Sequence, residues 1–254
     1  MIKCRDVMEI MECIAPKQLA EDWDNPGLLV GSPDDEIRRI LVCLDVREET
    51  VARAKAEDFQ MIVAHHPVIF KGLKKLRTDL PDGRLLGALI RFGIAVFAAH
   101  TNLDCAEGGV NDVLAKSLGI SGLKVLENLE TGFQSRIGTL MEEITADELA
   151  QRCKEVLGGN IRYVKGDRPI KTVAVCGGSG TDMVYPAILC GADALVTADI
   201  KHSMFITAAE KGFTLIDAGH YFTENIIVEP LALYLEKHTG LDVSVSNYTP
   251  VNVL

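Results

Sequence analysis

Two adjacent histidines, His65 and His66, are the residues of this chain best suited to chemistry, because they follow a short apolar run and precede Pro67. The run at residues 61–64 is too short for a helix and predicts a buried strand, and Pro67 favours an extended His66. Both imidazoles are therefore expected at the carboxyl end of a strand, where open α/β sheets bind ligands. Side chains of neighbouring residues diverge, so each histidine could bind a different ion of a close pair. The alternative is one core histidine and one surface histidine.

Two further pairs of possible ligands follow apolar strands elsewhere in the chain. His100 and Asp104 are four residues apart, as are His220 and Glu224, and each pair lies where a strand leads into a helix. The candidate metal ligands are His65, His66, Asp104, His220 and Glu224. This mixture of imidazoles and carboxylates suits zinc, manganese, iron or nickel better than calcium, which prefers oxygen ligands alone.

The number of candidate ligands predicts a dinuclear centre. A catalytic zinc keeps about three protein ligands, whereas five fit two divalent ions about 3.5 to 4 Å apart. Glu224 is expected to bridge the two ions. Water held between two cations loses a proton near neutral pH, so the predicted reaction class is hydrolysis. His100 and His202 are candidate catalytic residues, as proton carriers or substrate contacts, although either could instead hold a ligand in place.

Two features could recognise a phosphate-containing substrate. A basic run stands out in an acidic chain and begins five residues after His66; it comprises Lys71, Lys74, Lys75 and Arg77. The glycine-rich segment 177–180 follows a predicted strand and precedes a predicted helix, so its amides could bind an anion. The alternatives are a solvated loop for the first feature and a tight turn for the second.

Composition limits the class of protein. The chain has 254 residues, of which 48% are hydrophobic and 24% charged, so it can form one large or two modest cores. Its formal net charge of -10 makes a nucleic-acid partner unexpected. No run reaches the ~20 apolar residues of a membrane span. Seven scattered cysteines without a C-x-x-C pair predict reduced thiols and a cytoplasmic location.

The order of predicted elements indicates an internally duplicated α/β protein. Strands and helices alternate in the same order over residues 1–125 and over residues 126–254. Three strands of the first half, each followed by candidate functional residues, have counterparts in the second half. Thr145 and Glu148 form a capping box that predicts the start of a helix, and Gly158-Gly159 predicts its end. The last strand, at residues 242–246, has no helix after it and must join a sheet already formed. The C-terminal helix and strand are therefore expected to pack on the first half, so that the halves are intertwined.

Several motifs together resemble those of the Nif-three-like (NGG-interacting-factor-like) family, whose members are named as GTP cyclohydrolase I type two homologues. They occur in the family's order along nearly the whole chain: Asp24-Asn25-Pro26-Gly27-Leu28, His65-His66-Pro67, His100-Thr101-Asn102-Leu103-Asp104, Gly177-Gly178-Ser179-Gly180 and Gly219-His220-Tyr221 with Thr223-Glu224. One segment departs from the family pattern. The family often has Thr-Gly-Asp or Thr-Gly-Glu before a histidine pair, whereas this chain has Thr197-Ala198-Asp199 and, later, His202-Ser203.

The resemblance implies a fold of two intertwined α/β halves with mixed sheets and a two-metal centre between them, on the five ligands named above. It also implies a hexameric ring of dimers and a small-molecule substrate, for which a nucleotide such as GTP is the candidate. A dinuclear hydrolase of another phosphoester or amide, and a non-catalytic metal-binding or adaptor protein, are the alternatives.

Overall fold

The computed structural model describes residues 1–252. Its helices are α1 (Cys4–Ile14), α2 (Glu48–Ala56), α3 (Pro81–Phe92), α4 (Thr101–Cys105), α5 (Val110–Ser117), α6 (Ala146–Leu157), α7 (Val184–Leu189), α8 (His202–Glu210), α9 (His220–Glu224) and α10 (Val228–Thr239). Its strands are β1 (Gly27–Val30), β2 (Arg39–Cys43), β3 (Met61–Ala64), β4 (Ala95–Ala98), β5 (Ser121–Glu127), β6 (Gln134–Ile144), β7 (Arg162–Val164), β8 (Ile170–Ser179), β9 (Ala194–Ala198), β10 (Thr214–Asp217) and β11 (Asp242–Ser246). The presence of both helices and strands confirms the predicted α/β fold class.

The first of two compact units comprises Met1–Ala106 and Ile227–Pro250. Its sheet has the strand order β1-β4-β3-β2-β11. The strands β4, β3, β2 and β11 are parallel, and β1 pairs antiparallel with β4. The last strand, β11, extends beside β2 over its whole length, from Asp242 opposite Arg39 to Ser246 opposite Cys43.

The second unit comprises Glu107–Ile226 and residues 251–252 of the described chain. Its sheet has the order β5-β6-β8-β9-β10-β7. Only β8, β9 and β10 are parallel neighbours, because β5, β6 and β7 pair antiparallel. Both sheets are therefore mixed. Sequence analysis placed one division at residue 125, whereas the compact units divide after Ala106 and again before Ile227.

The central parallel strands are buried on both faces, which explains why they are apolar without alternation. All four residues of β3 and all four of β4 are buried. The ladder continues beyond β3, because the amides of His65 and His66 donate to the carbonyl oxygens of Cys43 (3.1 Å) and Leu44 (2.9 Å). The two histidines are thus held at the carboxyl edge of the sheet.

Several short elements differ from the sequence-based expectations. The sequence patterns assigned no element to the residues of β1, β5, α4 or α8, and they ended the strand that precedes Gly177 at residue 176, whereas β8 continues to Ser179. Most residues of β5 are exposed, so it lacks the apolar pattern by which strands are recognised. The short helix α4 covers one turn, below the length at which periodicity is visible.

Within residues 1–252, none of the helices combines the length and apolarity that crossing a membrane requires.

The predicted capping box is present at the start of α6. The Thr145 hydroxyl accepts from the Glu148 amide (3.2 Å), and the Glu148 carboxylate accepts from the Thr145 amide (2.7 Å). We expect Thr145→Ala to lower the free energy of unfolding by about 1 kcal/mol, because it leaves an amide of the first turn without its acceptor. Urea denaturation followed by circular dichroism measures this change. Thr145→Ser keeps the hydroxyl and is the control; an equal loss in both variants would contradict a capping effect.

Candidate metal centre

His65 is held in a single tautomer by the backbone. Its side chain is 1% exposed, and its Nδ1 lies 2.8 Å from the carbonyl oxygen of Ala99. A carbonyl oxygen only accepts, so Nδ1 must carry the proton and Nε2 must carry the lone pair when the ring is neutral. This is the form in which a histidine coordinates a metal through Nε2.

Carboxylates orient two more histidines in the same way. The Nδ1 of His66 lies 3.0 Å from Oδ1 of Asp45, and the Nδ1 of His100 lies 2.8 Å from Oδ1 of Asp24. Burial by itself would raise the pKa of Asp24, but hydrogen bonds from His100 and Thr101, the charge of His100 and the Asn25 amide lower this pKa to about 2. The Asp24 carboxylate is therefore ionised at neutral pH and accepts the proton of His100.

The three histidines of the first unit converge. One ring nitrogen from each of His65, His66 and His100 lies within 4.8 Å of the others, and each ring contributes from the carboxyl end of β3 or β4. The Oδ1 atom of Asp104, in α4, is 3.5 Å from Nε2 of His65, and Asp104 is 5% exposed. This donor set could hold a divalent transition metal. Sequence analysis assigned His100 a catalytic role, and its position also suits a ligand.

The second unit contains the other two predicted ligands on one short helix. Nε2 of His220 lies 2.9 Å from Oε2 of Glu224, and Nδ1 of His220 lies 2.7 Å from Oδ2 of Asp199. Burial would lower the pKa of His220, but the hydrogen bonds and charges of Glu224 and Asp199 together raise it to about 9. Without a metal the ring is thus cationic, and its Nε2 proton must leave before that nitrogen can coordinate a metal.

Gly178 allows the helix that carries His220 and Glu224 to pack against β8. A Cβ atom on Gly178 would overlap the Glu224 carboxylate, and its backbone has φ +62°. The Gly177 amide donates to Asn111 Oδ1 (2.8 Å), and the Gly178 amide donates to Thr223 Oγ1 (3.0 Å). Intramolecular acceptors thus occupy the amides of Gly177 and Gly178, which excludes these two from the predicted anion-binding role of segment 177–180. Gly178 serves the close approach of the ligand helix, whereas a Cβ atom on Gly177 would overlap Val110.

The remaining predicted site residues are on the surface. His202 is exposed at the first position of α8, three residues after Asp199. Lys71, Lys74 and Lys75 are exposed in the loop between β3 and α3. Arg77 from the same run forms an ion pair with Asp79 (2.5 Å), which reduces its ability to bind a substrate phosphate.

Sequence analysis missed the three carboxylates that orient the histidines. Asp45 follows β2, Asp24 lies in the turn before β1, and Asp199 follows β9 with φ +55°. A signal existed for two of them, since Asp45 and Asp199 end strands beside those that carry histidines. Their partners, however, are 21 residues away in both cases, and Asp24 is 76 residues from His100. Pairing at these separations follows from sheet order, which the sequence patterns did not specify.

Comparison with known proteins adds an independent observation. The sequence pattern of the Duf34/NIF3 (NGG1p interacting factor 3) family matches residues 2–251. The chain belongs to this family. Two relatives named GTP cyclohydrolase 1 type 2 homolog are similar: the Lactococcus lactis protein is 36% identical over 97% of this chain and 95% of its own. The Streptococcus pneumoniae protein is 35% identical over 91% of this chain and 89% of its own.

The fold of this Duf34/NIF3 chain also matches a solved structure. The crystal structure of the Staphylococcus aureus hypothetical protein SA1388 superimposes with a TM-score of 0.91 and 29% sequence identity, and the match covers 99% of each chain. The two mixed sheets are therefore features of the family fold, and the family resemblance expected from the motifs is confirmed.

The contact between Gly178 and Glu224 leads to a test. We expect Gly178→Ala to lower the free energy of unfolding by more than about 1 kcal/mol and to reduce the metal content, because the new methyl group must displace the Glu224 carboxylate. Urea denaturation and elemental analysis measure the two effects. Gly122→Ala is a matched control, since Gly122 has φ +63° and its nearest neighbour would be 3.9 Å from the Cβ. Equal metal content in the two variants would contradict the displacement.

The depressed pKa of Asp24 predicts a pH-dependent contribution to stability. Its pKa is about 2 in the folded protein, against an ordinary value of 3.8, so the stabilisation is full above about pH 4 and is lost as pH falls toward 2. Asp24→Asn should lower the free energy of unfolding by ~2 kcal/mol at pH 6 and by less at pH 2.5. Urea denaturation at the two pH values tests this, with the exposed neighbour Asp22→Asn as the control. A pH-independent difference would contradict this role for the Asp24 charge.

Proposed function

We propose that this Duf34/NIF3 protein is a metal-dependent hydrolase with a dinuclear centre whose ligands are His65, His66, Asp104, His220 and Glu224. The observation that carries the proposal is the orientation of the histidines: an oxygen atom accepts the Nδ1 proton of each, so that Nε2 is directed to coordination. Structural histidines rarely need this arrangement in several copies, whereas metal ligands commonly have it.

The donor chemistry fits two divalent ions, and zinc, manganese, iron or nickel each suit imidazole and carboxylate ligands. Five protein ligands exceed the three or so that a catalytic zinc keeps, and they fit a pair of divalent ions. Two bound ions would lower the pKa of a water molecule and so provide a nucleophile for hydrolysis near neutral pH. Glu224 is the proposed bridging ligand, since its carboxylate offers two oxygen atoms.

The protein's own residues then have distinct roles. Asp45 and Asp199 position His66 and His220, and the Ala99 carbonyl positions His65. His100 is proposed to carry a proton at Nε2, because Asp24 holds its other nitrogen. His202 is proposed as a contact for the substrate or as a second proton carrier. Lys71, Lys74 and Lys75 would then neutralise the phosphates of a nucleotide.

GTP is the first substrate to test, because relatives at 35% and 36% identity are named GTP cyclohydrolase 1 type 2 homolog. We also propose that the protein acts in the cytoplasm as a homo-oligomer, in the hexameric ring of dimers that the family resemblance implies. The reduced thiols predicted from the cysteine pattern support the cytoplasmic location.

The dinuclear proposal predicts the metal stoichiometry. Protein reconstituted with zinc or manganese should bind two ions per chain, and His66→Ala and Glu224→Gln should each bind fewer. Elemental analysis after gel filtration, with anomalous scattering from crystals, measures this. His238→Ala is the control, since His238 is exposed and its Nδ1 donates to the Tyr234 carbonyl. Two ions retained in Glu224→Gln would exclude Glu224 as a required bridge.

Activity is tested on the same proteins. The metal-loaded protein should release formate from GTP, and a chelator, His66→Ala and Glu224→Gln should each lower the rate by at least about 100-fold. Metal-loaded protein without formate release would exclude GTP hydrolysis and leave a screen of other phosphoesters and amides. A cellular phenotype unchanged by Glu224→Gln but abolished by surface substitutions would favour the adaptor alternative.

A further inference from the structure

Three aromatic rings connect the histidine cluster of the first unit with the protein surface. We call Trp23, Phe70 and His100 the aromatic cluster. Their ring centroids are 5.7 Å apart for Trp23 and Phe70, and 6.1 Å apart for each of these rings with His100. The interplanar angles of 60°, 76° and 80° are those of edge-to-face packing. The His100 ring also lies 5.3 Å from that of His65, so the cluster is continuous with the candidate metal ligands.

The two outer rings of the cluster remain exposed to solvent. Trp23 is 57% exposed and Phe70 is 43% exposed, even with the whole described chain in place. Large aromatic side chains in water at the edge of a polar site are unfavourable unless a ligand covers them, and contiguous patches of this kind mark binding sites. Isolated exposed side chains need no such explanation, but here two of them contact each other and a site residue.

Hydrogen bonds fix the segment that presents Trp23. The Asp24 carboxylate accepts from Nδ1 of His100 (2.8 Å), and from the amide (3.0 Å) and hydroxyl (2.6 Å) of Thr101. The Asn25 side chain donates to the carbonyl oxygen of Ile69 (2.6 Å), beside Phe70. Trp23 is thus positioned relative to both other rings of the cluster. A surface ring that is held in advance loses little entropy when a ligand binds.

Local charge defines the chemistry of the ligand. Lys71 directly follows Phe70, and Lys74 and Lys75 come three and four residues later, all exposed, in a protein whose net charge is -10. Glu21 and Asp22 precede Trp23, and Glu21 accepts a hydrogen bond from the Trp23 side chain, so the positive charge lies on the Phe70 side. On that side the lysines would repel a cation that the aromatic rings could otherwise bind. An anion with a flat aromatic ring satisfies both features, because the ring can stack on an indole or phenyl face while lysines neutralise its negative group.

We propose that Trp23 and Phe70 form a stacking subsite for the base of a nucleotide, with Lys71, Lys74 and Lys75 at its phosphates. The subsite deepens the proposed function, on which it rests, by placing the heterocycle beside His100. Stacking alone does not distinguish purines from pyrimidines. Both kinds of nucleotide therefore bind here, and selectivity has to come from other contacts.

Trp23 is the one tryptophan of the chain, so its fluorescence reports on this subsite directly. We expect GTP and UTP to quench the emission of Glu224→Gln protein in excess zinc saturably, whereas ribose 5-phosphate and tripolyphosphate, which lack a base, leave it unchanged. Phe70→Ala in the same background should weaken nucleotide binding about tenfold while Trp23 still reports. Phe92→Ala is the matched control, because Phe92 is an exposed phenylalanine of the same unit outside the cluster.

Loss of the three lysines gives a second readout. Replacing Lys71, Lys74 and Lys75 by alanine together should weaken GTP binding at least about tenfold and should change guanosine binding little, because guanosine has no phosphate. As the control, replacing Lys124, Lys154 and Lys237 by alanine changes the net charge by the same amount and should leave both affinities unchanged.

The possible outcomes separate this subsite from the proposed reaction. Nucleotide quenching that Phe70→Ala weakens supports the subsite, even if the wild-type protein hydrolyses no GTP. No quenching by either nucleotide, or equal affinities in Phe70→Ala and Phe92→Ala, overturns the subsite, even if GTP is hydrolysed. The subsite is also overturned if acrylamide fails to quench Trp23 before any ligand is added, and quenches it once Phe70→Ala has disrupted the oligomer. In that case a second copy of the chain, and not a nucleotide, covers the rings.

Discussion

The orientation of the histidine rings is the constraint on which the candidate metal centre depends. An imidazole can rotate and exchange tautomers, and a ligand site needs both freedoms removed. Here a carbonyl oxygen or a carboxylate accepts the Nδ1 proton of His65, His66, His100 and His220. The acceptors lie on neighbouring strands or turns, so the sheet itself sets the direction of each Nε2. A carboxylate partner also makes the ring a better donor to a metal, at the cost of a higher affinity for protons when the metal is absent.

Each unit reaches this arrangement by a different route. In the first unit the histidines follow adjacent parallel strands, β3 and β4, whose carboxyl ends lie at one edge of the sheet. In the second unit both ligands project from one short helix, and the approach of that helix to β8 depends on the lack of a side chain at Gly178. Asp217 supports the same region, since its carboxylate accepts from the amides of Ile200 and Gly219, next to Asp199 and His220.

The surface beside the first unit's histidines carries positive charge and exposed aromatic rings, unlike the protein as a whole, which is acidic. The chain is acidic, yet the loop after β3 carries three exposed lysines and leads from an exposed phenylalanine that contacts the single tryptophan. Asp24 connects this surface with the histidine cluster, because one carboxylate orients His100 and fixes the segment that holds Trp23. A substrate at the rings would thus lie against residues whose positions depend on the same interaction that orients the histidine.

The sequence by itself determined the features that depend on neighbouring residues. An apolar run located β3, the Thr145 and Glu148 pair located the start of α6, and β11 was predicted with its observed bounds, 242–246. The histidines were recognised because they follow such runs directly. Only the tertiary structure decided which carboxylates orient them and why Gly177 and Gly178 are glycines, because these contacts join residues far apart in the chain. Hydrogen-bond partners of that kind depend on strand order and on helix approach, and no local pattern of residues encodes either.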